Sequence, residues 1–204
     1  MTHAGWKVAV FWCALTCGVS VAQAEQPQAA AMDASKEAAM AAMQKLGSPS
    51  EGHAALAPFI GAWTYTAQWW MSPTEPPQSM TGASVNSLIY GGRFLKQEIT
   101  GEAEGQPPFE GLGIIGYDNI RHEYQSVWFD NMGTGMMVGT GQFDAAARAL
   151  TEQGDFSCPM TGESHRSYRG VWTVADADHN TYESYMRAPD GTEFKAMEIR
   201  YTRR

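Results

Sequence analysis

The chain has 204 residues and an acidic balance, with 14 Lys and Arg against 22 Asp and Glu and a formal net charge of −8. Nucleic acids and anionic membrane surfaces bind through basic patches, so this balance argues against both as partners. The length is that of one domain with a substantial core.

Residues 1–24 have the pattern of a secretory signal peptide. Lys7 precedes an apolar run at residues 8–15, and small residues then lead to Ala22-Gln23-Ala24. This pattern predicts cleavage after Ala24 and a periplasmic or secreted protein. The alternatives are a retained anchor or, through Cys17, a lipoprotein, but the run is shorter than the ~20 residues that span a bilayer. We expect no integral membrane segment in the mature chain.

Residues 25–50 differ in composition, and we predict a flexible leader followed by a helix. Good helix formers dominate residues 32–46, and Gly47-Ser48-Pro49 ends the helix. Ser50 is a suitable N-cap for a second short helix, which Pro58 prevents from continuing.

From Gly61 onward the hydrophobic period becomes two, which indicates half-buried strands. We predict ten strands, at residues 62–71, 80–90, 93–103, 109–117, 122–130, 134–143, 149–157, 164–175, 180–187 and 193–202. Their links are too short for the helices that parallel strands require. Short sequential links favour a meander that closes on itself, which removes the sheet edges. We therefore predict that residues 51–204 form an all-β, closed, antiparallel up-and-down barrel of about ten strands rather than a sandwich.

The first predicted strand opens with Gly61-Ala62-Trp63, which resembles the G-x-W opening of lipocalin-type barrels. The resemblance implies that Trp63 closes one end of the barrel. It also implies a basic residue packed over that ring by a cation–π contact, with Arg200, Arg203 and Arg204 as candidates.

A longer series of segments carries a more specific resemblance. Their ranges, in chain order, are 88–95, 108–113, 116–119, 128–135, 189–195 and 197–203. They include Tyr90-Gly91-Gly92-Arg93-Phe94 and Trp128-Phe129-Asp130-Asn131. This series resembles the bacterial family known as domain of unknown function 1579, from about residue 50 to the end. The resemblance implies a lipocalin-like β-barrel and no established activity.

Carboxylates recur in the predicted strands and at their ends, at Glu98, Glu110, Asp130, Glu183 and Glu198. A carboxylate that faces a barrel interior is costly unless it is paired or hydrogen-bonded. An inward pair would therefore indicate a polar-ligand site, or a general acid or base with a raised pKa. Arg93 and Lys195 are candidate partners. The alternative is that these carboxylates lie on the outer, solvated face.

One predicted strand places aromatic residues and a carboxylate on a single face. Tyr124, Trp128 and Asp130 are two or four residues apart, so they form an aromatic wall that ends in a carboxylate at the rim. Such a wall can hold an apolar body by one polar group. We predict that Glu98 and Glu110 gather with Asp130 around this wall, unless the face points outward. The complete predicted ligand-binding set is Arg93, Glu98, Glu110, Tyr124, Trp128, Asp130, Asn131 and Glu183.

The sequence contains no recognisable catalytic or cofactor motif. It has no G-x-S-x-G, H-E-x-x-H, C-x-x-C or glycine-rich phosphate loop, and its histidines lack metal-ligand companions at close spacing. Haem would need one of these histidines as axial ligand, and Cu(I) would need Cys158 with nearby methionines; packing roles are favoured over both. We predict no cofactor and no metal, and assign no catalytic residue.

The favoured function is an exported β-barrel that binds a small molecule, either apolar or aromatic. One alternative is an enzyme in which a lumen carboxylate acts as general acid or base on a small hydrophobic substrate. A further alternative is a packed interaction module that binds no ligand.

Overall fold

The computed structural model describes residues 25–102, 105 and 107–204, with side chains described from residue 31 onward, except at residues 103, 104 and 106. The predicted signal peptide, residues 1–24, lies outside the described residues, as does residue 103 at the end of the third predicted strand. The chain divides into two units, residues 1–44 and residues 45–204, and the second unit contains the whole sheet.

The first helix, α1, spans Glu25–Leu46. The predicted helix is therefore confirmed, but the expected flexible leader belongs to it. Ala29, Ala30 and Ala31 explain the extension because alanine has the highest helix propensity, and Pro27 is tolerated in a first turn. Side chains from residue 32 to residue 46 are exposed. No α-helix among the described residues combines the length and apolarity needed to cross a lipid bilayer.

Two short helices precede the sheet: α2 spans Glu51–Ala54, and a 3-10 helix spans Ala57–Phe59. Ser50 is the N-cap of α2, as predicted, and its backbone N–H donates to Nδ1 of His53 at 3.0 Å. Leu56 and Phe59 are buried in the core of the barrel. This segment therefore covers one end of the barrel.

Ten strands follow, within three residues of their predicted bounds. They are β1 (Gly61–Trp69), β2 (Gln78–Ile89), β3 (Phe94–Glu102), β4 (Phe109–Asp118), β5 (Glu123–Asp130), β6 (Met137–Asp144), β7 (Ala149–Phe156), β8 (Arg166–Val174), β9 (His179–Arg187) and β10 (Glu193–Arg203). Each strand pairs antiparallel with its chain neighbours, and β1 pairs with β10. The predicted closed, antiparallel up-and-down barrel is confirmed.

Trp63 closes one end of the barrel, as its G-x-W pattern predicts. Its side chain is 1% exposed, and its Nε1 donates to the Phe59 carbonyl at 3.0 Å. The Arg203 guanidinium lies 4.1 Å from the ring centroid and donates to the Ile60 carbonyl at 2.8 Å. We call this the closed end and the opposite end the mouth.

Candidate functional site

The mouth is lined by apolar side chains that face inward but are only half-buried. Residues directly opposite each other in paired strands share a face of the sheet. Trp63 faces inward, so following the pairs around the barrel from Trp63 identifies the other residues that face inward. Near the mouth this set includes Phe109, Trp128, Met137, Phe156, Met186 and Met197. Inward side chains that keep part of their surface accessible indicate that the barrel is open at this end.

Trp128 forms a flat wall of the mouth on β5. A Cβ atom at Gly111 would lie 2.4 Å from the indole, so glycine is required for the ring to lie against β4. The indole stacks on Phe109, with centroids 6.3 Å apart and planes at 18°. Its Nε1 donates to Oδ2 of Asp130 at 2.8 Å. The predicted combination of an aromatic wall and a carboxylate at the rim is therefore present here.

Tyr124 faces inward on the same strand but lies at the closed end. It is 4% exposed, and its hydroxyl donates to the Gly52 carbonyl at 2.7 Å. Burial raises the pKa of Tyr124 to about 12. Tyr124 thus anchors α2. It lies six residues along β5 from Asp130, which corresponds to roughly 20 Å.

The predicted gathering of Glu98 and Glu110 around this wall is wrong. Gln97 on β3 and Gly111 on β4 face inward. Neighbouring residues on a strand point to opposite faces, so Glu98 and Glu110 face outward. Glu98 pairs with Lys96 at 2.9 Å and is 53% exposed. Both carboxylates stay in solvent, because an unpaired inward charge is costly.

Glu183 also faces outward, on β9. Lys195 Nζ lies 3.0 Å from Oε1 of Glu183, and the Tyr185 hydroxyl donates to Oε2 at 2.8 Å. Hydrogen bonds from Lys195 and Tyr185 outweigh partial burial and lower the pKa of Glu183. Lys195 therefore pairs with a carboxylate, as expected, but this ion pair lies on the outer surface of the barrel and not in the lumen.

Two other predicted residues hold backbone segments in place. Arg93 lies in the turn after β2, at the closed end, and its Nε donates to the Gly47 carbonyl at 2.8 Å. Asn131, at the mouth, accepts from the Glu110 N–H at 3.2 Å and donates to the Pro108 carbonyl at 2.9 Å. Of the eight predicted residues, Trp128, Asp130 and Asn131 are brought together at the mouth.

The lumen contains a carboxyl group that the sequence prediction missed. Glu152 lies on the inward face of β7 and is 7% exposed. The Ser126 hydroxyl donates to its Oε2 at 2.6 Å. Burial raises the pKa of Glu152, although the adjacent Ser126, Tyr182 and Trp172 side chains offset part of the increase. Such an environment suits a carboxyl that exchanges a proton or binds a counter-charge.

Three buried polar atoms of the described interior make no hydrogen bond of standard geometry: Trp172 Nε1, Ser184 Oγ and Tyr201 Oη. Trp172 nevertheless lies close enough to Glu152, and Ser184 to Tyr182, to lower the pKa of those two groups. Trp172 lies beside Glu152, and its ring contacts Tyr201 with centroids 6.0 Å apart. An unsatisfied buried polar group costs ~1–3 kcal/mol. These atoms are therefore positioned to bond a polar group inside the lumen.

The interior also retains accessible surface in the middle of the strands. Tyr182 lies deep in the barrel, where burial raises the pKa of its hydroxyl well above the ordinary value, yet the residue is only half-buried. Ser126 and Ile199, which face inward at the same depth, are also half-buried. Residues that are deep and still partly accessible border an internal space.

A strand pattern could have identified Glu152 from the sequence. Leu150, Glu152 and Phe156 share one parity on β7, so a carboxylate interrupts an otherwise apolar face. Tyr168 and Tyr182 carry no comparable signal, since aromatic residues are common in any barrel core.

Two depressions lie outside the lumen. One, of about 670 Å³, lies across β10, β1, β2 and β3, and its lining includes Thr64, Thr66, Thr81 and Arg200. The other, of about 240 Å³, lies at the closed end beside His53. Among the described residues, no group of three or more His, Cys, Asp and Glu is placed to hold a metal ion. We take the lumen as the candidate site, because Glu152 and the three buried polar atoms lie there.

Comparisons with known proteins agree with this fold. The model of a family described as a protein of unknown function, DUF1579, matches residues 48–203. The crystal structure of Rv2717c from M. tuberculosis is 19% identical, with a TM-score of 0.58 over 77% of this chain and 99% of that chain. The comparison with curated proteins gave no match.

Two further barrels are more distant. A redesigned beta barrel, b11L5F_LGL, is 14% identical with a TM-score of 0.38 over 74% of this chain and 95% of that chain. EF1p2_mFAP2b bound to DFHBI is 11% identical with a TM-score of 0.39 over 74% and 98%. The likeness to Rv2717c shows the fold alone, and these two carry no argument about function.

Proposed function

The chain belongs to the DUF1579 family of proteins of unknown function, so its role must come from its geometry, and we propose that it binds a small apolar or aromatic molecule in the barrel lumen. The observation that carries the proposal is the ring of half-buried, inward-facing apolar side chains at the mouth. Soluble proteins bury such surface unless it contacts something else, and ligand sites are concave and mostly apolar.

Trp128 and Phe109 supply the contact surface for the apolar body of the ligand. Asp130 fixes the Trp128 ring through its hydrogen bond, and Phe109 stacks on that ring, so little side-chain entropy is lost on binding. Covering roughly 200 Å² of apolar surface contributes about 5 kcal/mol at ~25 cal/mol per Å², before the cost of association. This contact alone would give a dissociation constant no tighter than about 0.2 mM, so micromolar binding would need further contacts along the lumen.

We further propose that the protein acts in the periplasm or outside the cell. The support is the pattern of Lys7, the apolar run and Ala22-Gln23-Ala24, all outside the described residues. A ligand-binding barrel in that compartment would capture small hydrophobic molecules that have crossed or left a membrane.

Removal of the Trp128 ring tests the proposal. Trp128→Ala should weaken binding of the neutral apolar dye Nile red at least about tenfold, or ~1.4 kcal/mol, because the stacked wall is lost. Fluorescence titration measures this. Trp70→Ala is the matched control, since Trp70 packs on the outer surface with Lys195 Nζ 5.9 Å from its ring. Absence of saturable binding to the unchanged protein would favour the packed interaction module instead.

An enzyme in the same lumen is the second candidate, and the Ser126–Glu152 contact favours it. A hydroxyl 2.6 Å from a buried carboxyl with a raised pKa has the spacing of a nucleophile and its general base. Mass spectrometry of lumen ligands before and after incubation separates the two functions. Unchanged ligands support binding alone, whereas conversion that Ser126→Ala abolishes without loss of affinity supports catalysis.

A further inference from the structure

Glu152 has no cationic partner among the described residues. It takes part in none of their ion pairs. The basic side chains on the inward face of the described strands are Arg166 and Arg203. Arg203 lies over Trp63 at the closed end, and Arg166, at the mouth, contacts Glu163 at 3.3 Å. None of the described side chains therefore supplies a positive charge to this buried carboxyl group, whose polar neighbours are Ser126, Tyr182 and Trp172.

Oxygen atoms converge next to this carboxylate at Gly170. A Cβ atom at Gly170 would lie 2.8 Å from both Oε1 of Glu152 and the Tyr182 hydroxyl. Ser184, whose buried hydroxyl makes no hydrogen bond of standard geometry, lies opposite Gly170 in the register. Carboxylate and hydroxyl oxygens are acceptors for a donor that carries several N–H groups.

Aromatic rings line the same part of the lumen. Trp172 lies 4.5 Å from Tyr182 and 6.0 Å from Tyr201, measured between ring centroids. Aromatic rings attract cations, and desolvated contacts contribute up to ~2 kcal/mol. A carboxylate surrounded by aromatic rings is a common way to bind an ammonium group.

The distribution of charge favours a cation over an anion. Asp130 adds a second carboxylate at the mouth, on the inward face. The whole chain carries a formal charge of −8. A carboxylate ligand such as a fatty acid would meet two acidic groups along the lumen wall. Arg166, the one inward-facing basic side chain in the described part of the mouth, is already bonded to Glu163.

We propose that the lumen binds an amphiphilic amine, with its protonated nitrogen against Glu152 and Ser184 and its apolar body along Trp128 toward the mouth. This inference rests on the proposed binding function. Ser126 contacts Glu152 and is two residues from Trp128 on the same face of β5, roughly 7 Å away. An apolar chain of several carbons therefore spans the distance from the carboxylate to the aromatic wall.

Three probes of equal length test the proposal on the full chain. Isothermal titration calorimetry at neutral pH compares octylammonium, octanol and octanoate. Octylammonium should bind about tenfold more tightly than octanol, in keeping with a buried charge-assisted contact, and octanoate should bind most weakly.

A matched pair of variants identifies the residue responsible. Glu152→Gln keeps the size of the side chain and removes its charge, so the affinity for octylammonium should fall to that for octanol. Octanol binding should change less than about twofold. Glu98→Gln, which removes an exposed carboxylate on the outer face, should leave all three affinities unchanged.

The outcomes separate this inference from the proposed function. If none of the three probes binds, lumen binding itself fails. If all three bind equally, or octanol or octanoate binds best, the lumen is a binding site but the amine assignment is wrong. The order of affinities on the unchanged protein decides this, even if Glu152→Gln does not fold.

Discussion

His53 is a buried side chain at the closed end whose protonation state is linked to folding. Its Nδ1 accepts the Ser50 N–H at 3.0 Å, and its ring packs edge-on against Tyr117, 5.8 Å away. Burial, followed by the nearby positive charge of Arg93, lowers the pKa of His53. The neutral imidazole is the form that can cap α2, because a protonated ring has no acceptor nitrogen.

Acidification should therefore destabilise the protein through His53. Because its folded-state pKa lies below the unfolded value of about 6.5, the stabilisation is complete above that pH and is lost as pH falls toward the folded-state pKa. Tm should fall as the pH drops below about 6.5, and His53→Gln should show a smaller fall. His122→Asn, at an exposed turn, is the control. An equal pH-dependent fall in the His53→Gln protein would contradict the assignment.

At the candidate site, strand parity was predictable from the sequence and direction was not. Trp128 and Asp130 share a face because they are two residues apart on a strand. Glu98 and Glu110 lie on mixed faces, so their outward direction follows only from the cross-strand register, which places Glu98 opposite Leu112 and Glu110 opposite Thr100. Glu152 belongs to no motif. Its inward direction could be predicted only from its position among apolar residues of the same face of β7.

At the scale of elements, α1 is the segment whose removal should matter least. Side chains from residue 32 to residue 44 are exposed, and an isolated helix is marginal in water. Deletion of residues 25–44 should change the Tm of the protein by less than ~2 °C, because exposed side chains contribute little to the free energy of unfolding. Differential scanning calorimetry measures this.

A longer deletion provides the matched control. Residues 46–48 are held by the barrel, since Asn119 donates to the carbonyls of Leu46 at 2.7 Å and Ser48 at 2.8 Å, and Arg93 donates to that of Gly47. Deletion of residues 25–49 should lower Tm by about 4–10 °C, as expected for a loss of a few hydrogen bonds. A large fall with the shorter deletion would show that α1 stabilises the fold.

The strands were predictable because each has a two-residue period and a turn at its end. The β6 start was placed too early, at residue 134 rather than Met137, since Gly133 and Gly135 do not mark where pairing with β5 begins. The bulge between Lys195 and Met197 on β10 had no signal in the sequence. Bulges depend on how a strand bends to meet its neighbour, which a single sequence does not encode locally.

At the scale of the whole molecule, export is the prediction that defines where the protein acts. The mature chain should begin at Glu25, since Ala22-Gln23-Ala24 has the small residues that signal peptidase requires. N-terminal sequencing of protein from the cell envelope measures this. Ala24→Leu should slow processing, whereas Ala29→Leu, beyond the cleavage site, should not. Detection of residues before Ala24 in the mature protein would contradict the prediction.

The pairing of β1 with β10 also sets the order in which the chain folds. Trp63 pairs with Arg203 on β10, so the barrel cannot close until all ten strands have been synthesised. Until then, β1 and the last completed strand both expose unpaired backbone groups. A chain that stops before β10 would therefore present two unpaired strands that are open to aggregation.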